Sequence, residues 1–217
     1  MAGKLHEIMF KVYSAFPLPL ASRKVCPGML LETFWEPAIP WDTRPVFRRE
    51  EGYAWEVLGI PAAGYENEEG PGNILAGDIL EKVEFGAHLP LPQYGLDAAL
   101  NFANRWTATL TVTAVKVRTF RRGFSGHELR AKLREFRESD PQRWKWVLDD
   151  FLVTDSYHTD ALRFEFRQDG EASAKAELDK AGLKAEGTVQ LSWEDEWTLV
   201  LRGTAEAPFA VRGFKIW

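Results

Sequence analysis

The residues able to do chemistry are few and poorly placed for it. His6, His88, His127 and His158 are scattered, with no His-Glu-x-x-His motif and no pair at metal-ligand spacing. Ser125-Gly126-His127 sets a hydroxyl beside an imidazole. Glu128 follows, and the four residues form a helix-capping box rather than part of a catalytic triad. Asp149-Asp150 and Glu194-Asp195-Glu196 bring carboxylates together and read as solvated turns, whereas Asp78 and Glu81, near a strand start, are open to either reading. No glycine-rich phosphate loop and no Gly-x-Ser-x-Gly elbow is present. Cys26 is the single cysteine, which excludes an intramolecular disulfide and a cysteine-based zinc site. The expectation is a protein that is not an enzyme and uses no metal or cofactor.

The 217 residues are 45% hydrophobic and 27% charged, close to the average of a folded globular domain. No apolar run approaches the ~18 residues of a transmembrane helix. Residues 1–16 carry Glu7 and Lys11 inside their apolar stretch and lack the unbroken core of a secretory signal. A cytoplasmic location is therefore expected for the soluble form. The formal charge of −5 argues against a nucleic-acid partner, since a duplex repels an acidic surface.

Leu5, Ile8, Met9, Val12, Tyr13 and Phe16 recur at helical spacing, and Pro17 and Pro19 stop that helix. Strands are expected around residues 28–34 and 44–58. Between them Phe34-Trp35-Glu36-Pro37-Ala38-Ile39-Pro40-Trp41 reads as a loop with three large aromatics, its prolines keeping it off a central strand. Residues 61–72 read as an acidic loop. Residues 125–137 form a second helix with Leu129, Leu133 and Phe136 as its apolar stripe. Arg130, Lys132, Arg134 and Arg137 crowd its open face, and Pro141 follows its end. Residues 144–167 return to strand character, and two last strands occupy 197–202 and 209–217. No repeat and no interdomain linker appears, so the expected architecture is one α+β domain over residues 1–217, a twisted, mostly antiparallel sheet with flanking helices.

Two segments alternate for longer than ordinary strands, which rarely exceed ~10 residues. Between 79 and 91 the odd positions are Ile, Glu, Val, Phe, Ala, Leu, Leu. Between 94 and 114 the even positions are Tyr, Leu, Ala, Leu, Phe, Asn, Trp, Ala, Leu, Val, Ala. A second such hairpin spans roughly 153–193, with Leu162, Phe164 and Phe166 set against Arg163, Glu165 and Arg167 and an apolar face largely of alanine. Alternation of this kind describes a half-buried antiparallel sheet. It equally describes strands that cross a bilayer with one face in lipid and one in water, for which ~9–11 residues suffice. Open sheet edges cannot lie in lipid, so such hairpins would close into a barrel only with many copies.

This order of elements resembles the pore-forming N-terminal domain of the gasdermins. The amphipathic helix at 5–16, the Phe34-Trp35-Glu36-Pro37 stretch, the hairpin segment 79–117, the charged helix 126–137 and the second hairpin segment 146–201 follow that family's order over nearly the whole chain. The short form, with no inhibitory C-terminal domain, most resembles the fungal homologues that regulate cell death. The resemblance implies binding to acidic membrane lipids and assembly as a homo-oligomer, or with a sister variant. It implies insertion of two hairpins per subunit into a large β-barrel pore at the plasma membrane, and lytic death, with non-self recognition as its setting. The alternative is a soluble lipid- or ligand-binding α+β module without pore activity. In the pore reading, Lys4, Lys11, Phe34, Trp35, Trp41, Arg48 and Arg49 attach the chain to the membrane. Val83, Phe85, Ala87, Leu89, Leu96, Ala98, Leu100 and Phe102 face lipid, while Lys82, Glu84, His88, Asp97, Asn101 and Arg105 face the lumen. Before insertion the hairpin tips, near 90–103 and 168–187, should be folded back as short helices, loops or disordered segments, since their apolar faces cannot all meet water. The exposed polar stretches 66–70 and 170–184 are the expected sites of discrimination between sister variants.

Overall fold

The computed structural model describes residues 16–17, 25–39, 42–57, 59, 67–71, 81–84, 106–112, 115–120, 126–168, 173–180, 190–202 and 208–217. Its strands are β1 (Phe16–Pro17), β2 (Met29–Ile39), β3 (Asp42–Tyr53), β4 (Asn67–Pro71), β5 (Glu81–Glu84), β6 (Trp106–Val112), β7 (Lys116–Phe120), β8 (Phe151–His158), β9 (Ala161–Gln168), β10 (Gln190–Trp193), β11 (Thr198–Arg202) and β12 (Ala210–Lys215). Its helices are α1 (Ala54–Val57), α2 (Gly126–Ser139), α3 (Pro141–Val147) and α4 (Ala174–Lys180). The mixed helix and antiparallel-sheet class expected from the sequence is the class observed. The chain folds as two compact units, each drawn from three separate stretches. One takes residues 25–70, 117–156 and 211–217, the other 1–24, 71–116 and 157–210.

In the first unit β12, β8, β2 and β3 lie in that order, with β7 also paired to β8 and β4 to β7. The strands earn their place by burial: Phe151, Leu152 and Val153 of β8 and Leu30 and Leu31 of β2 lie fully out of water. Leu129, Leu133 and Phe136 of α2 meet Trp144 and Val147 of α3 over Leu30, Leu152 and Ile216. The stripe read from the sequence is thus the one that is buried. The closest approach of backbones is at Gly213, where a Cβ would run into the carbonyl of Leu152 and stand 2.6 Å from the ring of Phe151. Gly28, at φ +92°, lies under the ring of Trp55, which stacks on Tyr53 at 4.5 Å.

Four expectations are corrected here. Residues 67–71, expected within an acidic loop over 61–72, form β4, which pairs with β7. The stretch Phe34–Ile39, expected as a loop, belongs to β2. Its tip half pairs with β3 alone among the described residues, because β8 takes only Leu30 and Leu31. A proline removes no ladder bond from a strand side with no neighbour, which is why Pro37 and the edge-strand Pro45 are accepted. Residues 54–57, expected as the end of a strand, form the helical turn α1. Residues 144–147, expected as strand, lie in α3: Asp140 caps it by accepting the Arg143 N–H at 3.0 Å, and Pro141 occupies its first turn. Pro141 both ends α2 and starts α3. The helix expected over 5–16 lies outside the described residues except for Phe16, which is in β1.

The second unit holds one five-stranded antiparallel sheet in the order β10, β11, β9, β6, β5. It contains parts of both long alternating segments, side by side.

Candidate functional site

The register of the second unit's sheet sorts its residues into columns of alternating character. Val83, Ala108 and Phe166 stand in one column, and Glu84, Thr107 and Arg167 in the next. Val112, Leu162, Leu201 and Leu191 form another apolar column, and Lys82, Thr109, Glu165 and Thr198 a polar one. Leu162, Phe164, Phe166, Leu199 and Leu201 are buried. Glu81, in the Leu110 and Phe164 column, and buried Val200 depart from the pattern.

The polar side of β9 carries an ion-pair ladder. Arg163 Nε donates to Glu194 at 3.1 Å and lies 3.5 Å from Glu165, which accepts from Arg167 at 3.1 Å. All are partly exposed, so each pair contributes well under ~1 kcal/mol. What the ladder supplies is a wetted face opposite a dry one.

The turn from β10 to β11 is closed by Asp195. Its carboxylate accepts the backbone N–H groups of Trp197 and Thr198, each at 2.7 Å, and the Thr198 hydroxyl at 3.1 Å. The Trp197 N–H foremost, with those other bonds and Arg163, holds the Asp195 carboxyl below its ordinary value of 3.8. A depressed carboxylate stabilises the fold above its unfolded pKa, and that contribution disappears as pH falls through the folded value. Asp195→Asn should therefore lose less stability than the unaltered chain between pH 7 and about pH 3, read from urea midpoints at the two pH values. This cluster is the exposed turn expected of Glu194-Asp195-Glu196. The other acidic pair divides: Asp149 is exposed at φ +76°, with Lys215 2.7 Å away, whereas Asp150, expected to be solvated, is buried beneath the β12 end. The Asp150 carbonyl there accepts the Ile216 N–H at 2.8 Å, tying the chain's last strand to the start of β8.

Where β9 would continue toward β10, residues 174–180 form helix α4. Ser173 caps it, its hydroxyl accepting the Ala176 N–H at 3.2 Å, and buried Ala174 anchors its start. The expectation of a folded-back short helix in 168–187 agrees with this. The corresponding segment 90–103 lies outside the described residues.

The proposed site residues fare unequally. Val83 takes its place in the apolar column, while Phe85, Ala87, Leu89, Leu96, Ala98, Leu100 and Phe102 lie outside the described residues. So do Lys4, Lys11 and Trp41. Phe34 and Trp35 stand in β2 opposite Val46 and Pro45. Arg49 pairs in register with Glu32, and Phe47 with Thr33, which leaves Arg48 as the extra residue of a β-bulge. Among the described residues no group of His, Cys, Asp and Glu is arranged to hold a metal, and no helix is long and apolar enough to cross a membrane. The arginines of α2 are visible in the sequence as a basic helix face, whereas the exposure of Trp146 and Trp217, at 75% and 84%, and the place of Lys215 beside that face emerge only from the fold.

No protein-family model and no curated protein matches the chain. Among solved structures it is similar to a bacterial gasdermin from Bradyrhizobium tropiciagri, at 16% identity and a TM-score of 0.41, over 88% of this chain and 75% of that one.

Proposed function

We propose that residues 1–217 act as a single pore-forming domain that binds acidic membranes, oligomerises and inserts two β-hairpins per subunit into a large β-barrel, lysing the cell. The observation that carries this reading is the two-faced sheet of the second unit, in which the second overlong alternating segment is interrupted by α4. Alternation without interruption would be ordinary sheet. Alternation stored partly as helix is a strand in reserve, and lipid supplies the apolar surroundings that would let it extend.

The β5·β6 register supports the same reading for the first hairpin. Continued outward, it pairs Phe85 with Trp106, Leu89 with Phe102 and Leu91 with Leu100. Carried on to the Leu91 and Leu100 pair, the two strands would run over 81–91 and 100–112, long enough for the ~9–11 residues that cross a bilayer. Asn104, the one polar residue of that alternation, would face Ala87. Attachment falls to Lys4, Lys11, Arg48 and Arg49 with Phe34, Trp35 and Trp41, each basic residue adding about 1 kcal/mol at an anionic surface. In this reading the chain is cytoplasmic until it assembles at the plasma membrane. Partner variants in non-self recognition are distinguished by the stretches 66–70 and 170–184.

The test is electron microscopy and dye leakage with acidic vesicles. Rings or arcs accompanied by leakage are expected. Bare, intact vesicles at saturating protein would sink the proposal.

A further inference from the structure

The described residues hold a second feature that the pore reading does not use. Arg130, Arg134 and Arg137 succeed one another along one edge of α2, at helical spacings of four and three. Together with Phe214, Lys215 and Trp217 from the end of the chain they line a groove of about 270 Å³. None of its lining side chains is acidic. The Lys215 ammonium is 2.7 Å from Asp149. The Arg130 guanidinium lies over the Phe214 ring at 5.2 Å, a contact that leaves its charge in place. All three arginines are exposed, and no ion pair among the described residues engages them. In a chain of net charge −5 this is a concentrated positive field beside aromatic walls.

We propose that this groove binds a phosphate-bearing anion. Three guanidinium forks on one helix edge match the oxygens of a phosphomonoester, which takes parallel N–H donors from more than one direction. The Phe214 and Trp217 rings of the same lining receive the less polar part of the molecule. A phosphorylated metabolite and a phosphorylated lipid headgroup carry this chemistry alike. The site does not require pore formation, and its ligand need not be part of a bilayer.

The experiment titrates the full chain with inositol hexakisphosphate by calorimetry. In parallel the chain is co-sedimented with vesicles containing phosphatidylinositol 4-phosphate, or phosphatidylserine at equal surface charge. The Arg134→Gln/Arg137→Gln double variant should bind about tenfold more weakly or worse. Lys132→Gln is the control, because Lys132 is on the same helix but outside the groove and bonded to Glu135 at 2.9 Å. It should bind as the unaltered chain does. Binding of the soluble phosphate alone assigns a metabolite, and binding of the phosphoinositide vesicles alone assigns a headgroup. Either supports the groove when the double variant loses it and the control does not. The proposal is overturned by binding to neither probe, by equal weakening in the control, or by equal retention on phosphatidylserine. Dye leakage scored on the same vesicles keeps the two ideas apart, since a chain that binds phosphate without leakage fails only as a pore.

Discussion

Phe102→Arg will abolish leakage from acidic vesicles, and Asn101→Arg, one residue away, will leave it within about threefold of the unaltered chain. The contrast follows from parity. In the β5·β6 register Val83 stands against Ala108, and the even positions of β6 share columns with Phe166, Phe164 and Leu162, which are buried. Carried outward along the same strand, even positions remain on that face, which places Phe102 toward lipid and Asn101 toward water. An arginine on the lipid face of a β-barrel costs up to about 2–4 kcal/mol depending on its depth, and nearly nothing on the lumen side. Every subunit would carry the substitution, so the cost recurs with each hairpin inserted. Co-sedimentation with the same vesicles should be equal for the two variants, which locates the defect at insertion rather than attachment. Equal leakage from both would remove the parity argument and with it the assignment of Val83, Phe85, Ala87, Leu89, Leu96, Ala98 and Leu100.

The sheet's two faces were legible because a strand's period is two, and few competing forces act on it: Leu162, Phe164 and Phe166 alternate in the sequence and are buried in the fold. The α2 stripe was legible for the parallel reason that Leu129, Leu133 and Phe136 recur at helical spacing. The failures share a different cause. Around 144–147 the aromatic residues suggested a strand, while the local signal just before them, Asp140 followed by Pro141, marks a helix start, and the short-range capping bond prevailed. At Pro37 a rule about central strands was applied to a segment whose place in the sheet only the topology reveals. The groove on α2 shows the limit most clearly. Its arginines are visible as a basic helix face, but Lys215 and Trp217 lie far away in sequence and join them only through the pairing of β12 beside β8.

Arg212→Met will lower the stability of the fold by about 3–5 kcal/mol, the largest loss expected of any single surface-reaching side chain here. Arg212 in β12 grips Asp155 in β8 with both arms of its guanidinium: Nε donates to Oδ2 at 2.8 Å and Nη2 to Oδ1 at 2.9 Å. The Asp155 side chain is only 6% exposed, and Thr154 adds a hydroxyl bond to Oδ2 at 2.7 Å. The Arg212 carbonyl, 3.2 Å from Thr154 Oγ1, is the longer alternative acceptor for that single hydroxyl proton. Removing the arginine leaves a carboxylate out of water with one neutral side-chain donor among the described residues, and an unpaired buried charge is far costlier than an absent pair. The discriminating measurement is therefore the double variant Asp155→Leu/Arg212→Met. It should recover a large part of the loss in urea denaturation, because an apolar pair of similar volume carries no desolvation penalty. If the double variant is as unstable as the sum of its parts, Arg212 acts through packing against its neighbours and not through Asp155. The pair also explains why β12, which begins just after buried Phe209, holds its register beside β8: the bidentate geometry admits one alignment, and a shift by one residue would turn Arg212 to the opposite face and strand Asp155.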